Sequence, residues 1–150
     1  MGSIRHPEYL RPEYVKRING QDSVVVNTDP AIQVYSAYNQ LNTTNKLRLK
    51  LSPHLDLVVA NHYSRLSDVP RYDRLIQYKS GTLRYGDWYY GPQVWMMNNI
   101  QITLDKRNIL FNEARIIAAH QIYTESRDDR GYRKSDIYEQ TEKVSIFSVN

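Results

Sequence analysis

The sequence predicts an α+β fold, a single domain in which a short mixed or antiparallel sheet packs with two to three helices behind an N-terminal arm. Three observations predict it. Asp29-Pro30 has the form of a helix start: Asp accepts from the first free N–H groups, and Pro sits where no donor is needed. Ala31, Val34, Tyr35, Tyr38 and Leu41 follow at helical spacing on one side. Lys46-Leu47-Arg48-Leu49-Lys50-Leu51 and Asn99–Asp105 alternate polar with apolar, as strands do with one face in a core and one in water. Helical and strand patterns mix without a βαβ rhythm, and that selects α+β.

In chain order, residues 1–20 form the arm. Pro7-Glu8-Tyr9-Leu10-Arg11 and Pro12-Glu13-Tyr14-Val15-Lys16 are a tandem near-repeat. Each Pro can open a helical turn, each Glu suits its positive end, and Asn19-Gly20 supplies the stop. Residues 21–150 form the domain. Val24–Val26 reads as a short strand, and the helix from Asp29 ends at Asn42-Thr43-Thr44-Asn45. Ser52-Pro53 reads as a second helix start, with Leu55, Val58, Val59, His62 and Leu66 on its inner face. Leu55, Leu57 and Val59 also fit a strand; the helix is preferred. Residues 63–92 are irregular and aromatic, with turns at Gly81, Gly86 and Gly91-Pro92. Ile100, Ile102 and Leu104 mark a half-buried strand. After Asn108, the positions Leu110, Phe111, Ala114, Ile117, Ala118 and Gln121 predict an amphipathic helix. Arg127–Gly131 reads as a charged loop and Val144–Val149 as the closing strand.

Composition narrows the function. The 150 residues carry 20 Lys plus Arg against 16 Asp plus Glu and contain no Cys. A disulfide framework, a thiolate zinc site and a cysteine nucleophile are thereby excluded. No apolar run approaches the ~20 residues of a membrane-spanning helix, and residues 1–7 lack the apolar core of a signal peptide. Catalytic patterns are also missing. Gly81–Gly86 lacks the glycine spacing of a phosphate loop, and there is no Gly-X-Ser-X-Gly elbow. His54, Asp56 and His62 are the nearest approach to a metal set, but on a helix the two His stand about two turns apart. Asp68, Asp73 and Asp87 have the setting of turn-forming acids. No catalytic, cofactor-binding or metal-ligating residue is expected, and no enzyme activity.

What stands out is contact chemistry. Tyr supplies 13 of 17 aromatic residues and Arg 13 of 20 basic ones. Tyr joins an apolar body to a polar tip, and Arg pairs in plane or stacks on rings, so both are enriched at protein interfaces. Tyr9 and Tyr14 on the arm, with Arg71, Arg74, Arg84, Trp88, Tyr89 and Tyr90 in the aromatic stretch, are the expected partner-binding residues, while Trp95 is assigned to the domain's own core. Arg and Tyr interleaved over 63–90 also suit nucleic acid, although Asp68, Asp73 and Asp87 lie in the same stretch.

Asp73-Arg74-Leu75-Ile76, followed by Tyr85-Gly86-Asp87-Trp88-Tyr89-Tyr90-Gly91-Pro92-Gln93-Val94-Trp95-Met96-Met97-Asn98-Asn99-Ile100, resembles the LysM-type baseplate and tail proteins of bacteriophages. The shared features are an acidic-Arg-Leu stretch, a Tyr-Gly-Asp turn, a Trp-rich apolar segment that is helical in that family, and Asn-Asn-Ile. The chain departs from the family at Gly91-Pro92 and in an insert around Lys79–Leu83. The resemblance implies a non-catalytic virion part of a tail, baseplate or neck, assembled in the host cytoplasm. The expectation is therefore a structural subunit whose partners are other protein subunits, copies of itself included, with no membrane. The alternative is an RNA-associated subunit of a ribosomal or organellar complex inside the cell.

Overall fold

The computed structural model describes residues 2–107 and 109–150. Among them are thirteen strands and a single four-residue helix. In chain order these are β1 (Ile4–Arg5), β2 (Glu13–Ile18), β3 (Gln21–Val26), β4 (Ile32–Gln33), β5 (Gln40–Ser52), β6 (Leu55–Leu66), β7 (Val69–Pro70), α1 (Tyr72–Leu75), β8 (Tyr78–Lys79), β9 (Thr82–Leu83), β10 (Tyr85–Tyr90), β11 (Gln93–Asp105), β12 (Glu113–Gly131) and β13 (Tyr138–Val149). The class is all-β. The α+β expectation is incorrect, and the helices expected over 30–41, 53–66 and 110–121 do not form. Asn108, before the last of these, lies outside the described residues.

The chain divides into two compact units, each assembled from three stretches of sequence. The first takes the chain up to Gln40, then Leu66–Gln93 and Glu125–Glu142; the second takes Leu41–Arg65, Val94–Thr124 and Lys143–Asn150. The chain passes from one to the other within or at the ends of strands. No loop-like linker marks the division, and the composition contains none.

In the first unit β2 and β3 pair from Glu13↔Val26 to Ile18↔Gln21, which leaves a two-residue turn. That turn is Asn19-Gly20, both at positive φ (49° and 80°). Asn-Gly is the pair that reaches this conformation at least cost, and the resulting twist matches the flanking strands. The dipeptide expected to stop a helix thus turns a hairpin, and Tyr14 and Val15 of the arm lie in its first strand. Ser80-Gly81 makes the same kind of turn between β8 and β9. Asp29 accepts from the Ala31 N–H at 3.1 Å, a local turn that leads into β4 rather than a helix cap. β10 pairs with β12 from Tyr85↔Gly131 to Tyr90↔Arg127, and on its other side with β7. The supposed charged loop at 127–131 is therefore strand. Leu75, Leu83 and Trp88 are the buried apolar residues here.

The second unit holds five strands of a seven-stranded sheet, in the order β5-β6-β11-β12-β13. A two-residue connection, Pro53-His54, joins β5 to β6, which is too short for anything but an antiparallel turn. β11 and β12 pair without interruption from Val94↔Thr124 to Asp105↔Glu113. Their register sets Ile100 opposite Ala118, Ile102 opposite Ile116, and Leu104 opposite Ala114. Apolar residues at period two find cross-strand partners there that a helix would not provide. This is why 55–66 and 110–121, which carry both periodicities, resolve as strands. At the far edge Ile117 and Asn150 exchange both backbone hydrogen bonds at 2.9 Å, tying β13 to β12.

Candidate assembly interface

The residues singled out for contact all belong to the first unit. Trp88 and Tyr90 project from one face of β10, with their rings edge to face at 5.1 Å. The Arg71 guanidinium lies 5.3 Å from both ring centres and donates to the Tyr90 hydroxyl at 2.9 Å. It is held there by two parallel bonds to Asp73, at 2.7 and 2.8 Å. Those bonds raise its pKa above the ordinary value, against the opposing effect of burial. Arg74 approaches Trp88 and Arg127 approaches Tyr90. Such cation–π contacts are worth about 0.5–2 kcal/mol each, depending on desolvation. Arg71, Arg74, Trp88 and Tyr90 are thus brought together. Tyr89 points to the opposite face of β10, and Arg84 stacks on Tyr85 instead. Tyr9 meets Tyr72 edge-on at 6.1 Å, and Tyr14 meets Tyr35 at 5.8 Å. Trp88 is only 7 % exposed, packed by Arg71, Arg74 and Tyr90.

Next to this stack is an ionic core. The Arg130 guanidinium donates to both Asp22 oxygens, at 2.6 and 3.0 Å, to Asp87 at 2.7 Å and to the Lys134 carbonyl at 2.9 Å. Both Arg130 and Asp22 are buried. Burial alone would raise the Asp22 carboxyl, but the bonds and charges of Arg130, the Arg133 N–H and Arg17 outweigh it and hold the pKa below its ordinary value. Gly86 makes the arrangement possible, because a Cβ there would run into the Arg130 guanidinium. The supposed metal set is dispersed. His54 bonds the Asp105 carbonyl, Asp56 pairs with Arg48, and His62 bonds Thr44 and packs on Trp95. Among the described residues no three His, Cys, Asp or Glu side chains are placed to hold a metal ion.

The second unit has the opposite character. Hydrogen bonds between Thr44 and His62 and between Asn42 and Ser64, with the His62–Trp95 ring contact, place these side chains on one face. The Asn61–Asn98 bond at 2.8 Å marks the other. Strand alternation then assigns the rest. One face carries Lys46, Arg48, Lys50, Asp56 and Arg115 together with Val58, Met97, Ile117, Val144 and Ile146. The other carries Leu47, Leu49, Leu51, Leu57, Val59, Ile100, Ile102, Ile116, Phe147 and Val149. Among the described residues this face stays open: Leu49 is 42 % exposed, Ile116 59 % and Phe147 70 %. Among the described residues Ser64 is the sole buried member of the unit, and no apolar side chain in it is buried. Every residue of the edge strand β5 and of β13 is exposed.

No family model, curated protein or solved structure matches the chain. Residues 88–97, where the LysM resemblance implies a helix, belong to strands β10 and β11 and the Gly91-Pro92 connection between them. The sequence shows half of this face: alternation marks the strands at 46–51 and 99–105, while Leu55, Leu57, Val59, Ile116 and Ala118 lie in segments whose spacing also fits helices, so sequence alone does not align the four rows into one surface.

Proposed function

We propose that this chain is a non-catalytic structural subunit of a larger protein assembly, with the apolar sheet face of the second unit as the surface that a neighbouring subunit covers. One observation carries the reading: among the described residues of the second unit's five strands, no apolar side chain is buried. A sheet acquires independent stability by packing one face against another layer, and contiguous apolar surface of this extent marks a binding surface. The Arg71–Trp88–Tyr90 stack and the Arg130 core support a scaffolding role for the first unit, since their charged groups are engaged with each other. The resemblance over Asp73–Ile100 implies a phage tail, baseplate or neck as the setting.

The test is the size and absorbance ratio of material purified from the native source at low salt and at ~1 M salt, where charges are screened within about 3 Å. A large particle free of nucleic acid and stable in high salt is expected, because apolar contacts survive screening. RNA or DNA that co-purifies and is stripped by salt would replace this reading with a nucleic-acid-bound one. A lone chain in both conditions would remove it.

A further inference from the structure

We infer that the partner on the apolar face is a second copy of this chain, seated face to face about a two-fold axis to close a two-layer sandwich. The inference rests on the assembly reading and names the occupant. The first argument is area. Four strands of about eleven residues and β13 with about seven, about 4.8 Å apart at ~3.3 Å per residue, give a face of roughly 800 Å² per copy and ~1,600 Å² for the pair. That is the area a stable pairwise interface buries, and an identical face is the surface that matches it in outline.

The second argument is charge. From Leu47 to Tyr63, from Val94 to Leu104 and from Ala114 to Thr124, the apolar face carries no Asp, Glu, Lys or Arg; Arg65 and Lys143 stand at its opposite end. Two copies can therefore meet without opposing like charges. The other face would set Lys46, Arg48 and Lys50 against themselves, and an anionic partner would select that face. The polar residues within the apolar face also pair with one another, Asn61 with Asn98 at 2.8 Å and His120 with Ser145 at 3.0 Å. Sheets packed in this way cross at about −30° with interleaved side chains. The contact is isologous, so one surface serves both partners and the pair closes on itself.

The chain has no cysteine, so single cysteines report cleanly. The full chain is purified alone, its mass is followed by sedimentation over a range of concentrations, and Ile102→Cys and Ile116→Cys variants are treated with a short bis-maleimide, together and separately. Arg115→Cys, on the other face, is the control. A dimer that is linked through 102 and 116 but not through 115 is expected. Ile116→Glu is expected to weaken dimerisation roughly a hundredfold or more, since it buries an unpaired charge. The near-ultraviolet signals of Trp88 in the first unit and Trp95 in the second show that this variant is folded. A chain that stays monomeric in sedimentation and whose single-cysteine variants form no linked pair of chains overturns the inference. If that monomer still enters a particle built with other proteins, the assembly reading survives; if it enters none, both fall. Equal linking through 115 overturns the choice of face. Loss of the dimer to phosphatidylcholine vesicles would make lipid the occupant and overturn it too.

Discussion

The two units of this chain meet the demands of burial in opposite ways. The first encloses charge and answers it from within: Arg130 finds Asp22, Asp87 and the Lys134 carbonyl, and Ser126 finds Gly91 and Asp128. The second exposes its leucines and isoleucines and answers them with nothing of its own. The difference is one of directionality. Ion pairs and hydrogen bonds work at fixed distances and angles, so the residues that satisfy them must be supplied at set places. Apolar burial has no direction, and any layer of suitable shape completes it. A unit built on the first principle is finished within one chain, whereas a unit built on the second can be half of something.

The largest effect that tests this contrast is expected from Arg130→Ala. The substitution leaves the Asp22 carboxylate buried with its main partner gone, and breaking a buried pair on one side costs about 3–5 kcal/mol. Urea unfolding followed by tryptophan fluorescence measures it. Arg130→Met combined with Asp22→Leu removes both charges and is expected to recover most of the loss. A single-variant loss below ~1 kcal/mol would mean that the ionic core does not hold the first unit, and the contrast would break.

Acid separates two carboxyls within that unit. Burial, then the charges of Glu139, Asp68 and Asp129, push Asp128 above its ordinary value, against a hydrogen bond with Ser126. The geometry agrees. Ser126 Oγ lies against the Gly91 carbonyl and 2.7 Å from Asp128, and one hydroxyl hydrogen serves one acceptor, so a protonated Asp128 completes the network by donating to Ser126. A carboxyl whose folded pKa exceeds the unfolded one costs stability at neutral pH. The cost is relieved as pH falls through the folded value, and is gone below the unfolded one near ~4. Asp22 runs the other way: its contribution is present above ~4 and is lost as pH falls through its lowered folded value. Asp128→Asn imitates the protonated acid. It is expected to add on the order of 1 kcal/mol at pH 7, a gain that vanishes near pH 4. A gain independent of pH would detach Asp128 from this network.

How much of this was legible in the sequence follows from the same contrast. Alternation in Lys46–Leu51 and Asn99–Asp105 is local, and both strands were read. Asn19-Gly20 was equally plain, but two Pro-Glu pairs upstream favoured a helix and turned its meaning from hairpin to stop. In residues 110–121, Leu110, Ala114, Ile117 and Ala118 satisfy helical spacing while Ala114, Ile116 and Ala118 satisfy period two. What decides between them is the opposed row Ile100, Ile102 and Leu104, a partner the segment does not contain. The Arg130 core was the least legible part. Asp22 and Arg130 are 108 residues apart, and nothing local sets Arg130 apart from twelve other arginines.

The smallest effect is the one that sharpens the contrast most. Ile102→Thr keeps a β-branched side chain suited to strands and removes apolar surface from a position that is 44 % exposed. In the dilute, unassociated chain nearly half of that surface stays in water even when the chain is folded, so the change is expected to cost less than about 1 kcal/mol. At concentrations where the face is covered, the same change removes buried contacts, and the loss is expected to grow to ~1–2 kcal/mol, because association stabilises only the folded form. Leu83→Thr provides the reference: Leu83 is 2 % exposed in the first unit, and its loss is expected to exceed ~2 kcal/mol at every concentration. Unfolding curves over a hundredfold range of protein concentration distinguish the two. A concentration-dependent penalty at 102 beside a constant one at 83 identifies the second unit as half of a core. A constant, large penalty at both would show that Ile102 is already packed within a single chain.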